Sequence, residues 1–319
     1  MPEINWYPGH MAKARRLLLE QLRRVDLVIE LCDARLPYSS RNPDLDRLAA
    51  GKRRILLLNK ADLADPHISA SWLQRFQSQG IKAALVQARS MKQKEALAAI
   101  EAQTRDAVEQ AALKGVRKTV RAMVVGVPNV GKSTYINRLH GGAIAKTGDL
   151  PGVTRSNQWV KISPYLELLD TPGLLWPRLD DQTAARRLCY LGTVRDEILD
   201  LDDLTLHLLD DLADTRPQCL AERYHVSDTS LRGVFLMDAV CRGRGFLLKG
   251  GTFDYDRCCK VVLDEFRAGK LGRITLESPD DPAPSMPVTD APGQVGFDDP
   301  ETEQPDAVPA ALDDPKTER

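Results

Sequence analysis

Short apolar runs alternate with longer amphipathic segments through the first half of the chain. Four runs rich in Val, Ile and Leu predict buried strands: residues 25–31, 54–58, 83–87 and 120–125. The runs 156–162 and 165–169 are separated by two residues only and predict a hairpin. Residues 91–118 carry Ala and Leu at helical spacing. Strands that alternate with helices predict an α/β fold with a doubly wound, mainly parallel sheet.

The pattern changes after Leu175. Residues 180–272 show helical periodicity and no convincing pair of strands, which predicts a small all-helical domain. Its last helix is expected over residues 255–268, with an apolar stripe formed by Cys258, Val261, Val262 and Phe266. Residues 1–24 form a basic N-terminal segment with a helix that carries Leu17, Leu18 and Leu22.

The formal net charge of −1 conceals a division of charge along the chain. Residues 275–319 contain twelve acidic and two basic residues and are rich in Pro, which predicts a disordered acidic tail. Residues 1–274 keep 42 basic and 33 acidic residues, an excess that favours a nucleic-acid partner. The expected domains are therefore 1–178, 179–274 and 275–319.

Several classes of protein are disfavoured by composition. There is no run of eighteen apolar residues, and the N-terminal segment lacks the apolar core of a signal peptide. The six cysteines form no CxxC pair, as is typical of reduced thiols. We therefore expect a cytoplasmic protein with no membrane partner.

Three short motifs follow predicted strands. Asn59-Lys60-Ala61-Asp62 has the form NKxD, residues 126–133 have the form GxxxxGKS, and residues 170–173 have the form DxxG. Between a strand and a helix, GxxxxGKS is a phosphate-binding loop. In an ordinary small GTPase the NKxD motif comes last, whereas here it comes first. The order predicts a circularly permuted P-loop GTPase domain.

The phosphate loop and the helix turn after it supply the N–H groups and side chains that hold phosphates. The residues expected to bind there are Asn129, Val130, Gly131, Lys132, Ser133 and Thr134. Lys132 should reach the β- and γ-phosphates. The expected Mg²⁺ ligands are Ser133, Asp170 and Thr154, and the Gly173 N–H should meet the γ-phosphate. For Thr154 the alternative is an ordinary turn residue after Pro-Gly.

The NKxD motif predicts guanine as the base. The Asp62 carboxylate can accept two hydrogen bonds that guanine donates and adenine does not, so GTP is favoured over ATP. Asn59 is expected to brace the loop or to contact the base, and the stem of Lys60 to lie over the ring. Gln87 and Ala88 follow the third strand, and the Ala88 N–H is a candidate donor to the base oxygen.

The usual catalytic glutamine after DxxG is missing, because Leu174 stands there. Either hydrolysis is slow in the isolated protein or another group positions the water. His10 is the candidate, since a neutral imidazole can order water or accept its proton. The alternative is a structural histidine. Asn129 is a candidate ligand for a monovalent cation, with loop geometry as the alternative.

At this point the chain resembles the YlqF/RbgA family of circularly permuted ribosome biogenesis GTPases. The matching segments are residues 6–11 (WYPGHM), 33–37 (DARLP), 59–62 (NKAD), 126–133 (GVPNVGKS), 151–154 (PGVT), 170–173 (DTPG), 247–251 (LLKGG) and 266–275 (FRAGKLGRIT). Gln87 departs from the family, where a serine commonly precedes Ala88-Arg89. The resemblance covers residues 4–275.

The resemblance implies an assembly factor for the large ribosomal subunit. Its partners would be precursor rRNA and ribosomal proteins, bound by a monomer in the GTP state and released after hydrolysis. It also implies stimulation by the subunit, His10 as the catalytic group, and K⁺ dependence through Asn129. The competing hypothesis is an RNA-binding placeholder that the nucleotide merely stabilises. An ATP-using kinase is a third possibility, which the NKxD motif disfavours.

Overall fold

The computed structural model describes residues 16–42, 45–144, 158–171 and 181–281. Its sheet contains six strands: β1 (Leu27–Asp33), β2 (Arg53–Asn59), β3 (Ala83–Leu85), β4 (Val120–Val125), β5 (Gln158–Ser163) and β6 (Leu166–Asp170). Their order is β3-β2-β1-β4-β6-β5. All neighbouring strands are parallel except β5 and β6, which form the predicted antiparallel hairpin. The predicted mainly parallel sheet is confirmed.

The helices of the sheet part lie on both faces. They are the helical residues 16–22 (α1), α2 (Leu45–Leu48), α3 (Pro66–Ser78), α4 (Gln93–Leu113) and α5 (Lys132–His140). Ile100 of α4 and Ile136 of α5 pack against Ile29 of β1 within one apolar cluster. Leu18 and Leu22 of α1 belong to a second cluster with the neighbouring strand residue Val28. Because side chains alternate along a strand, these two clusters cover opposite faces.

The helical part contains α6 (Gln182–Tyr190), α7 (Leu201–Thr215), α8 (Pro217–Tyr224), α9 (Gly233–Arg244) and α10 (Tyr255–Arg267). Leu204, Leu208 and Leu212 recur every fourth residue on α7, so they form one buried stripe in the centre of this part. The stripe predicted for the last helix is also buried at Cys258, Val262 and Phe266. Within residues 181–281 strand pairing is limited to one bridge, Leu247 with Phe253, as the sequence predicted.

The predicted start of the acidic tail at Thr275 is wrong. Thr275, Leu276 and Glu277 are buried, because the chain crosses back onto the sheet part after α10. The Leu276 N–H donates to the Arg35 carbonyl at 3.0 Å, and Trp72 Nε1 donates to the Glu277 carbonyl at 2.9 Å. Three buried residues are too few to stand out from the acidic, proline-rich composition around them. The expected tail beyond residue 281 lies outside the described residues.

No helix among the described residues is long and apolar enough to cross a bilayer.

Candidate functional site

The phosphate loop connects β4 to α5. Gly131 caps α5 in the left-handed region, at φ 99°. A Cβ at this position would lie 2.5 Å from Asn59 Nδ2, so both the backbone angle and the available space require glycine. The first N–H groups of α5 therefore open toward the carboxyl ends of the strands, where an anion can bind them.

Lys132 begins α5, and its side chain is only 7% exposed. Its Nζ donates to the Val127 carbonyl of the same loop at 2.9 Å. Burial lowers the pKa of Lys132 to about 8, and the nearby Asp170 carboxylate opposes this shift only in part. An anionic ligand at the helix N-terminus would supply the compensating charge. The position suits a lysine that binds phosphate.

Asp170 ends β6, beside the phosphate loop. Burial raises the pKa of Asp170, while Lys132 and a hydrogen bond with the Ser133 side chain lower it. Its Oδ1 atom is buried with no hydrogen-bond partner among the described residues. A carboxylate oxygen of this kind beside a serine hydroxyl is the donor set that Mg²⁺ prefers. Ser133 and Asp170 therefore fit Mg²⁺, whereas Thr154 and Gly173 lie outside the described residues.

Asn59 braces the phosphate loop against the loop after β3. Its Nδ2 donates to the Val130 carbonyl at 2.7 Å, and its Oδ1 accepts from the Ala88 N–H at 2.9 Å. Of the two roles expected for Asn59, bracing is the one that this geometry supports. The Ala88 N–H, the candidate donor to the base, donates to Asn59 in this structure, and its contact with the base stays a prediction.

The remaining residues of the base end lie around the same loops. Lys60 adopts a left-handed conformation at φ 58°. The Asp62 and Gln87 side chains are exposed, and Gln87 Oε1 accepts from the Ser90 hydroxyl. The side chain of Arg138 on α5 donates to the Ala88 carbonyl, so α5 fixes this loop as well. The sequence analysis assigned no role to Arg138.

Asp33 and Arg35 were also without a predicted role. Asp33 lies at the end of β1 and pairs with Lys60 Nζ at 3.0 Å. Arg35 binds both Asp33 carboxylate oxygens, at 2.9 and 2.8 Å. Burial raises the pKa of Asp33, but the charges of Arg35 and Lys60 outweigh it and hold this pKa well below its ordinary value. The sequence did hold one signal for this ion pair: Asp33 and Arg35 are an acidic and a basic residue two positions apart at the end of a buried strand.

Asn129 lies in the loop at φ 63° and donates through Nδ2 to the Gly192 carbonyl. This contact joins the phosphate loop to the turn after α6. A role for Asn129 as a cation ligand stays a prediction. His10 lies outside the described residues.

These elements define a class of protein. A phosphate loop after β4, a carboxylate suited to Mg²⁺ after β6 and an NKxD motif after β2 meet at the carboxyl edge of one parallel sheet, where α/β folds bind ligands. The chain is a P-loop GTPase whose motifs are circularly permuted. A family model described as "50S ribosome-binding GTPase" matches residues 121–234.

Curated relatives narrow the class to a family. Ribosome biogenesis GTPase A of Bacillus cereus is 45% identical over 280 residues, which cover 87% of this chain and 95% of the relative. The protein of the same name from Thermotoga maritima is 31% identical, covering 88% of this chain and 97% of the relative. The chain belongs to this family, the YlqF/RbgA GTPases.

Solved structures agree with this assignment. A GDP-bound YlqF superposes with a TM-score of 0.60 at 26% identity, covering 83% of this chain and 100% of the neighbour. A GNP-bound YlqF from T. maritima gives a TM-score of 0.59 at 27% identity, covering 84% of this chain and 99% of the neighbour.

Proposed function

We propose that this GTPase is an assembly factor for the large ribosomal subunit. It would bind the precursor in its GTP state and leave after hydrolysis. The carrying observation is that the phosphate loop, the NKxD motif and Asp170 converge at one edge of the sheet, in a chain whose relatives are named for ribosome biogenesis. The proposed place of action is the cytoplasm, with the protein acting as a monomer.

The proposed roles at the site follow the geometry. Lys132 binds the β- and γ-phosphates, Ser133 and Asp170 hold Mg²⁺, and Asp62 reads the guanine edge. Thr154 is a further proposed Mg²⁺ ligand. The other residues proposed to bind the nucleotide or to shape its site are Asn59, Lys60, Gln87, Ala88, Asn129, Val130, Gly131, Thr134 and Gly173. Mg²⁺ held by Ser133 and Asp170 would neutralise charge on the phosphate oxygens. The buried Lys132 and the loops braced by Asn59 would orient the nucleotide.

The proposed catalytic group is His10, and the proposed K⁺ ligand is Asn129. Leu174 follows the DxxG motif, so that position has no side chain able to hydrogen-bond water. His10, brought close by the subunit, would supply the missing hydrogen-bonding side chain. This role agrees with slow GTP hydrolysis in the absence of the subunit.

The proposed RNA contact lies on the helical part, at the hairpin 246–254. Near its tip, Leu247 and Leu248 are 50% and 52% exposed. The Arg242 guanidinium stacks over the Phe253 ring at 5.7 Å, and Arg257 stacks over Phe246 at 5.1 Å. Stacked guanidinium groups are held in place for phosphates or unstacked bases, both of which RNA presents.

Sedimentation with large ribosomal subunits tests the function. We expect the protein to co-sediment with a non-hydrolysable GTP analogue and to dissociate with GDP. Lys132→Ala should remove the difference by preventing nucleotide binding. GTP turnover should rise when subunits are added. Turnover that ignores subunits would favour a nucleotide-stabilised placeholder instead.

The RNA surface has its own test. Arg242→Gln with Arg257→Gln should weaken subunit binding and reduce its salt dependence, because fewer counterions are released. Lys94→Gln with Lys114→Gln, at exposed positions on α4 and at its end, serves as the matched removal of two positive charges in the sheet part. Equal effects of the two changes would mean that only net charge matters.

A further inference from the structure

The last turn of α10 contacts the residues that hold the two ends of the nucleotide site. At the base end, Lys60 pairs with Asp33, and Asp33 is bound by Arg35. The same Arg35 donates through Nη1 to the Phe266 carbonyl at 2.7 Å, and its guanidinium lies 4.9 Å from the Phe266 ring centre. The guanine motif therefore reaches the helical part through two buried side chains.

At the phosphate end the path runs through the turn after α6. Asn129 Nδ2 donates to the Gly192 carbonyl. Arg267 holds this turn by donating to the Tyr190 carbonyl at 3.0 Å and to the Cys189 carbonyl at 3.3 Å. It also forms a two-pronged ion pair with Asp196, at 2.7 and 2.8 Å. Adjacent residues of α10 thus hold the two ends.

The turn at Gly192 packs closely against Asn129 and Arg267. Gly192 lies in the left-handed region at φ 68°. A Cβ there would lie 3.3 Å from Asn129 Nδ2 and 3.4 Å from Arg267 Cζ. Arg267 is partly buried, and charge-assisted, two-pronged hydrogen bonds of this kind are stronger than neutral ones. A displacement of Asn129 by phosphates must therefore be absorbed by the turn 189–196 or by α10.

We propose that Arg267 is a positioning residue for the phosphate loop, and that it couples nucleotide occupancy to the placement of the helical part. It holds the Gly192 carbonyl where Asn129 needs it, although it does not itself contact the nucleotide. The inference rests on the proposed assignment of the nucleotide to this site. Because coupling is reciprocal, the factor by which the nucleotide changes the affinity for a partner of the helical part is also the factor by which that partner changes nucleotide affinity.

A double-mutant cycle tests the proposal in the full chain. Arg267→Gln should weaken binding of a fluorescent GTP analogue about tenfold, a typical coupling for residues in one network. Lys260→Gln, at an exposed position of the same helix, should leave it unchanged. The double variant with Arg267→Gln and Asn129→Ala should bind the analogue nearly as well as Asn129→Ala alone does. A merely structural role would instead make the two losses multiply.

Hydrogen exchange supplies the second readout. In the wild type, amides of residues 189–196 should become better protected when the analogue binds, and this response should vanish in Arg267→Gln. If Arg267→Gln does not fold, Asp196→Asn removes only the carboxylate that aims the guanidinium and should give a smaller loss in the same direction. Wild-type affinity in the folded variants, or multiplying losses, would overturn the proposal.

The two failures are distinguishable. If Lys132→Ala binds the analogue as well as the wild type does, the assignment of the nucleotide to this site is wrong. If Lys132→Ala abolishes binding while Arg267→Gln has no effect, the site stands and only the coupling through Arg267 fails.

Discussion

Lys60 Nζ lies 3.0 Å from Asp33 Oδ2, so the lysine of the NKxD motif is held by a carboxylate from the neighbouring strand. β1 and β2 are parallel, and Asp33 is the register partner of Asn59, the residue before Lys60. The ion pair is thus fixed by the sheet itself. It orients the lysine stem that we expect to lie over the guanine ring.

Asp33→Asn should destabilise the protein by about 3–5 kcal/mol at pH 7, because the buried Arg35 loses its partner. The pKa of Asp33 is depressed in the folded state, so its contribution is fully present above the ordinary value of 3.8 and is lost as the pH falls below it. Denaturant unfolding of both proteins from pH 7 to pH 3 should show the difference shrinking at the acidic end. Asp106→Asn, in an exposed pair with Arg53, should leave the free energy of unfolding nearly unchanged over the same pH range, because solvent screens that pair.

Asp62→Asn should move the preference from guanine to xanthine nucleotides. The amide would present a donor where guanine also presents one, whereas xanthine has an acceptor there. Competition between GTP and XTP for a fluorescent nucleotide measures the change. An unaltered preference for GTP in a folded variant would contradict the assigned base site.

Truncation should separate the segment 275–277 from the rest of the acidic region. A chain that ends at residue 281 should have a free energy of unfolding within about 0.5 kcal/mol of that of the full protein, since the contacts of Leu276 and Glu277 are kept. A chain that ends at residue 274 should lose at least ~3 kcal/mol, through lost burial of Leu276 and lost hydrogen bonds to Trp72 and Arg35. Leu276→Ala in the full chain should cost about 2–5 kcal/mol. Equal stability of both truncations would refute this boundary.

His10→Ala should spare nucleotide affinity and slow subunit-stimulated hydrolysis by about 10²–10⁴-fold, the usual range for a group that positions water or transfers a proton. Lys132→Ala should instead abolish binding, because the phosphates lose a buried cation. Single-turnover hydrolysis with saturating subunits distinguishes the two variants. Wild-type hydrolysis in His10→Ala would return His10 to a structural role.

The sequence by itself determined the GTPase motifs and the sheet that presents them. A phosphate loop depends on contiguous residues, since glycines, a lysine and a helix N-terminus must follow one strand at set spacings. The strands around it were visible for the same reason, because β1 and β4 are central, and β1 is buried throughout and β4 at every residue except Arg121. Even the permuted order is a property of the chain alone.

Only the tertiary structure decided what holds the site. Asp33 pairs with Lys60, Arg35 donates to the Phe266 carbonyl, and Arg267 donates to the turn that contains Gly192. Arg35 and Phe266 are 231 positions apart, so no local spacing relates them. The same reason hid the buried segment 275–277, whose burial depends on distant partners such as Trp72 and Arg35. Long-range hydrogen bonds and ion pairs become visible only when the folded chain brings their partners together.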